Sequence, residues 1–110
     1  MTVERRERIR ALNDQLRRHH TGGRIFITQG IVALGADMVR AALRATQEFD
    51  QFDERNDPYG ERDFGAVTVG KHRIFWKIDY YDQSLTSAAV DPSQETGCVR
   101  VLTLMLAQEY

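Results

Sequence analysis

Residues 57–82 read DPYGERDFGAVTVGKHRIFWKIDYYD, and this stretch sets the architecture of the chain. Two runs rich in β-branched and aromatic residues, 63–69 and 73–81, flank Gly70-Lys71. Gly at the first central position of a two-residue loop suits a type II′ hairpin, because it takes φ > 0 without a Cβ clash. With that turn Val69 faces His72. Counting outward pairs Val67 with Ile74, Gly65 with Trp76 and Asp63 with Ile78. Val67, Val69, Ile74, Trp76 and Ile78 then share one face, and Gly65 leaves room beside the indole. The opposite face carries Phe64, Ala66, Thr68, Arg73, Phe75, Lys77 and Asp79. A slip of one residue would turn Trp76 to the polar face, so the pattern itself pins the register. Just upstream, Asn56-Asp57-Pro58-Tyr59-Gly60 predicts a rigid turn. Pro58 pre-sets φ at the second position and Gly60 permits the exit conformation. The competing reading of the same residues is a binding loop with Tyr59 at its tip.

The flanking segments supply cover for this hairpin. Residues 3–20 predict an amphipathic helix with a thin apolar stripe of Ile9, Leu12 and Leu16, ended by Gly22-Gly23. So thin a stripe implies a peripheral helix whose arginines form a solvated face. Residues 24–29 predict a short strand. Residues 30–35 predict a connection buried through Ile31, Val32 and Leu34. Residues 36–51 predict the main helix, with Met38, Ala42, Ala45 and Phe49 on one broad face and Asp37 at its start. Residues 82–97 are rich in Ser, Thr, Asp, Pro and Gly and predict an irregular link. The apolar run 98–106 predicts a buried strand, central in the sheet, with Cys98 at the edge of the core.

These elements predict an α+β fold: a mostly antiparallel sheet around the central hairpin, with two helices packed on one side. A chain of 110 residues fits one domain, 1–110. Its 42 % hydrophobic and 28 % charged content is that of an ordinary globular protein. The one cysteine excludes an internal disulfide and a cysteine-built metal site. With no apolar run of membrane-spanning length and no signal-peptide core near the N-terminus, no membrane association and a cytoplasmic location are expected. The net charge of −1 hides an asymmetry. Residues 1–20 hold six arginines against three acids, and residues 48–63 hold seven acids against two arginines. If the fold keeps these segments apart, the molecule is bipolar.

Three blocks, NDPYGERDFG (56–65), RIFWKIDYYD (73–82) and RVLTLMLAQEY (100–110), stand in this order. They are joined by IRALND (9–14) and TGGRIFITQG (21–30). Together they resemble a family of short, mostly alphaproteobacterial proteins known as domain-of-unknown-function family 3768. The resemblance spans nearly the whole chain. It implies no activity, cofactor or catalytic residue. It implies only a loose association with plasmids and other mobile elements.

The candidate site is the open end of the hairpin. Asp57, Tyr59, Glu61, Asp63, Asp79, Tyr81 and Asp82 gather there in the register above. Carboxylates around an opening can hold a divalent cation through oxygen or act as an acid/base pair. Acids at strand ends are also commonly solvated or paired, and Arg62, Arg73 and Arg100 are available partners. The spacing matches no calcium loop, phosphate-binding glycine loop or zinc-protease helix. The Asp63-Phe64-Gly65 triplet lacks the other parts of a kinase. His19-His20 do not share a helix face, so a metal there is disfavoured. No cofactor and no metal are expected. Two functions stay open. The first is a small non-catalytic interaction protein that binds a protein partner through charged surfaces. It would be an accessory or inhibitor of a mobile element or phage, of the anti-defence type. The second is a small enzyme or metal-binding protein that uses the carboxylate and tyrosine cluster. Nucleic acid is a weaker candidate partner, resting on the arginines of the first helix.

Overall fold

The computed structural model describes residues 2–110. The hairpin forms as its sequence dictates. Strands β2 (Phe64–Val69) and β3 (His72–Tyr81) pair antiparallel in the predicted register, from Val69 opposite His72 to Gly65 opposite Trp76. Beyond the last ladder pair, the Ile78 N–H donates to the Asp63 carbonyl at 2.8 Å. Gly70 has φ +60, the conformation that a type II′ turn demands of its first central residue. Gly65 is obligatory for packing. A Cβ there would lie 2.5 Å from the Trp76 indole nitrogen.

The sheet order is β1-β4-β3-β2, with β1 Arg24–Ile27 and β4 Val99–Leu106. The last apolar run is therefore a central strand, antiparallel to β3 and parallel to β1. Helices α1 (Val3–His19) and α3 (Ala36–Glu48) pack on one face. Leu16 and Ala42 meet Ile74, Trp76, Ile78, Leu102 and Leu104 in one core. Phe49 and Phe52 set their rings edge-on to Trp76, with centroids 5.7 and 6.1 Å away. The fold is α+β with a mostly antiparallel sheet. No helix among the described residues is long and apolar enough to cross a membrane.

Five expectations need correction. The strand at 24–29 stops at Ile27, because Thr28 turns the chain into a one-turn helix, α2 (Gln29–Val32). Of the three apolar residues expected to bury the connection, only Ile31 does. Val32 is 51 % and Leu34 41 % exposed. Helix α3 ends at Glu48 rather than 51, since Phe49 adopts extended φ/ψ to reach Trp76. Asp37 stands in the first turn of α3 as expected, where its charge complements the helix dipole, and it pairs with Arg40. Helix α1 is not peripheral: Ile9, Asn13, Leu16 and Arg17 are all buried.

Charge separation is the fifth correction. The fold lays the acidic turn directly on the arginine helix. The Arg10 Nε donates to the Gly60 carbonyl at 2.8 Å, and Arg62 pairs with Asp14 at 2.9 Å. The molecule is not divided into a basic end and an acidic end.

Candidate functional site

The buried side of the hairpin's open end is a chain of hydrogen bonds. Arg100, on β4, is 2 % exposed and among the described residues has no carboxylate within ion-pair distance. Its Nε donates to Asn13 Oδ1 at 3.0 Å. The amide of Asn13 donates in turn to the Tyr80 hydroxyl at 2.8 Å and to the Glu61 carbonyl at 3.0 Å. Tyr80 completes the chain by donating to Glu61 Oε1 at 2.9 Å. A guanidinium can only donate, so the Asn13 oxygen must face Arg100 and its nitrogen must face Tyr80. The cation on β4 and the anion at 61 are thus joined through two neutral side chains from α1 and β3. The Tyr80 ring lies under the Arg100 guanidinium at 5.4 Å. Burial pushes the Tyr80 phenol upward, so it stays a donor at neutral pH.

A second buried arginine locks the helices. Arg17 donates to the Thr46, Gln47 and Phe49 carbonyls at 3.0, 3.3 and 2.7 Å and pairs with Asp14 at 3.2 Å. It thereby satisfies carbonyls that the end of α3 leaves without intrahelical partners. Its guanidinium also lies 5.3 Å from the Phe52 ring and 5.4 Å from Trp76. Burial lowers its pKa, and Asp14 offsets part of that.

The turn over this network is braced from several sides. The Gly60 N–H bonds to the Asp57 carbonyl at 3.1 Å, which puts Pro58 at the second turn position as expected. The Arg62 N–H donates to Asp57 Oδ1 at 2.9 Å. Arg62 sits at φ 55, an uncommon region for a residue with a Cβ. Its bonds to Asp57 and Asp14 hold it there.

The predicted site residues divide. Asp57, Glu61 and Asp63 come together with Tyr80. Glu61 and Asp57 are engaged as described, whereas Asp63 has no side-chain hydrogen bond among the described residues. Burial first, then the charges of Glu61, Asp57 and Asp79, push the Asp63 carboxyl up to about 6. Asp79 lies on the helix-free face of the sheet, paired with Lys77 at 2.8 Å. Tyr81 is the last residue of β3, opposite Val99, and also bridges to Ala88, whereas Asp82 belongs to the next loop and accepts from Ser84 at 2.6 Å. Tyr59 stands at the turn's tip, 74 % exposed. Glu48 at the end of α3, and Asp50, Asp53 and Glu54 on the segment that joins α3 to the turn, are exposed. The cluster therefore offers one carboxyl able to take or give a proton near neutrality. Among the described residues no group of three or more His, Cys, Asp or Glu side chains could hold a metal ion.

A family model described as "Protein of unknown function (DUF3768)" matches residues 27–109. The chain belongs to the DUF3768 family. No curated protein and no solved structure matches it. The DUF3768 match includes Glu61, Asp63, Tyr80 and Arg100 but stops short of α1, which supplies Asn13, Asp14 and Arg17.

Sequence reasoning missed Asn13, Arg17 and Arg100 as buried polar residues. A signal for each exists. Asn13 and Arg17 lie four and eight residues after Ile9, on the stripe itself, and Arg100 shares strand parity with Leu102 and Leu104. Polar residues at core positions, rather than polar residues at strand ends, mark the network.

Proposed function

We propose that this DUF3768 protein acts as a small non-catalytic interaction protein that engages a basic protein surface through its acidic segment 48–59. The observation that carries the reading is Tyr59, 74 % exposed at the tip of a turn anchored to α1 through Arg10. An exposed tyrosine on a braced turn is a low-entropy anchor of the kind enriched at binding hot spots. The exposed acids beside it supply charge complementarity and steer a cationic partner. Glu61 and Asp57 support the same reading from the other side, because Glu61 is tied to Tyr80 in the buried network and Asp57 to the backbone of the turn. A small protein presenting acids suits an accessory or inhibitor of a mobile element. In the anti-defence type it would occupy a basic surface that normally holds nucleic acid.

The test is capture from native host lysate with wild-type and Tyr59→Ala proteins, after circular dichroism has verified the fold. The reading expects one stoichiometric partner with wild type, stable to moderate salt, and at least a tenfold drop for Tyr59→Ala. Equal capture by both would overturn it.

A second reading retains Asp63 as an acid/base group, favoured by its raised pKa and its lack of a side-chain partner. It predicts a turnover that Asp63→Asn abolishes without loss of fold.

A further inference from the structure

We infer that strand β2 receives an extended, cationic segment of the partner as a fifth strand, laid between β2 and the acidic segment. The inference rests on the reading of 48–59 as partner-facing and specifies how the partner binds.

The two sheet edges differ. The β1 edge is four residues long and begins with the exposed Arg24. Its far end runs into α2, where Glu109 accepts from the Thr28 hydroxyl and the Gly30 N–H. Short length, charge and cover are the usual protections of an edge. The β2 edge has none of these. Its six residues, FGAVTV, carry no charge and no proline.

The hairpin fixes which backbone groups of β2 are free. Val69 and His72 flank a two-residue turn, so they form a hydrogen-bonded pair, as do Val67–Ile74 and Gly65–Trp76. The alternate residues Phe64, Ala66 and Thr68 then aim their N–H and C=O groups away from β3. Among the described residues none of these groups bonds to another segment. Three residues at i, i+2 and i+4 thus present the ladder that an added strand requires.

Two adjoining grooves run beside this edge, of about 490 and 320 Å³. They share Phe49, Gln51 and Ala66. The first adds Phe64, Phe75, Asp53 and Arg73, and the second adds Glu48 and Asp50. The lining mixes the apolar Phe49, Phe64, Phe75 and Val67 with polar groups, and its acids outnumber its one arginine, which selects a segment that alternates apolar and basic side chains. The same rim disfavours a second copy of this chain, because pairing β2 with β2 would bring Glu48, Asp50 and Asp53 of both copies together.

The probe is an end-blocked octapeptide of alternating lysine and valine, titrated against the full chain with amide hydrogen exchange as readout. The expected result is slowed exchange at Phe64, Ala66 and Thr68, and binding weakened at least tenfold by Ala66→Pro. Proline removes one outward N–H that the β2–β3 ladder does not use, and edge strands tolerate it there. If Ala66→Pro fails to fold, the octapeptide methylated at alternate backbone nitrogens makes the same test, and its binding must fall by the same factor. Unchanged binding of that peptide or by Ala66→Pro, or protection located away from β2, would overturn strand addition. Slowed exchange at β2 without peptide, together with a dimer in sedimentation, would also overturn it, in favour of self-pairing. Lysate capture separates the two proposals. Capture lost with Tyr59→Ala but kept with Ala66→Pro leaves the acidic surface standing and removes the added strand. Capture unaffected by either removes both.

Discussion

The acidic residues of 48–63 fall into two groups that differ in what surrounds them. The inner group, Asp57, Glu61 and Asp63, faces α1 and the end of the hairpin. There Glu61 closes a hydrogen-bond chain to a buried arginine and Asp57 pins the turn. The outer group, Glu48, Asp50, Asp53 and Glu54, faces solvent. Its bonds are short-range, such as Glu48 with Arg44 and Asp53 with Arg55. Exposed pairs of this kind contribute about 0–1 kcal/mol each. The same residue type therefore does two jobs. Carboxylates inside neutralise and orient buried groups, while carboxylates outside are solvent-exposed and, in the function proposed above, meet the partner.

The largest effect should come from cutting the inner network at its centre. Asn13→Ala removes three hydrogen bonds and leaves Arg100 buried with no partner at Nε. Stranding a buried charge costs on the order of 3–5 kcal/mol. Urea denaturation should register that loss, and a loss below about 1 kcal/mol would break the distinction between inner and outer groups.

Asp63 should give a smaller effect, and one that depends on pH. Its carboxyl titrates at about 6 in the folded chain, above its ordinary value of 3.8. Between those values the folded state holds more protons than the unfolded state, so stability falls as pH rises from about 4 to about 6. Asp63→Asn should remove that slope and stabilise the protein at pH 7 by ~1 kcal/mol, a figure reduced for the partial exposure of the group. Thermal melts across this range would measure it. A slope that survives the substitution would assign the titration to another group.

Glu61→Gln sharpens the same point with less change in stability. Gln keeps an acceptor for Tyr80 and deletes the charge that acts most strongly on Asp63. The Asp63 titration, followed by carbon NMR of its carboxyl, should move down toward its ordinary value. No movement would mean that burial and the charges of Asp57 and Asp79 raise it without Glu61.

How legible this was in the sequence differs by region. The hairpin register was fully readable, because Gly70, the parity of Trp76 and the gap at Gly65 all demand one pairing. The central position of β4 was readable from its continuous apolar run. The packing of α1 was misread because Asn13 and Arg17 look like surface residues, and only their helical spacing from Ile9 marks them as buried. Proximity of the acidic turn to α1 was not readable at all. It depends on a tertiary contact, Arg10 to the Gly60 carbonyl, between residues 50 positions apart. Of the candidate site, the meeting of Glu61 and Asp63 with Tyr80 and Ile78 followed from extending the register. The departure of Asp82 into a separate loop did not, since it is set by bonds within 82–87.

The most direct measurement compares wild type with a triple charge reversal in the outer group, Glu48→Lys, Asp50→Lys and Glu54→Lys. Thermal denaturation and lysate capture would be run on the same samples. The expected result is a Tm within about 2 °C of wild type together with loss of capture, because surface changes of this kind cost little stability. A collapse of Tm would contradict the claim that the outer acids are free of structural duty. Retained capture at unchanged Tm would contradict the claim that they meet the partner.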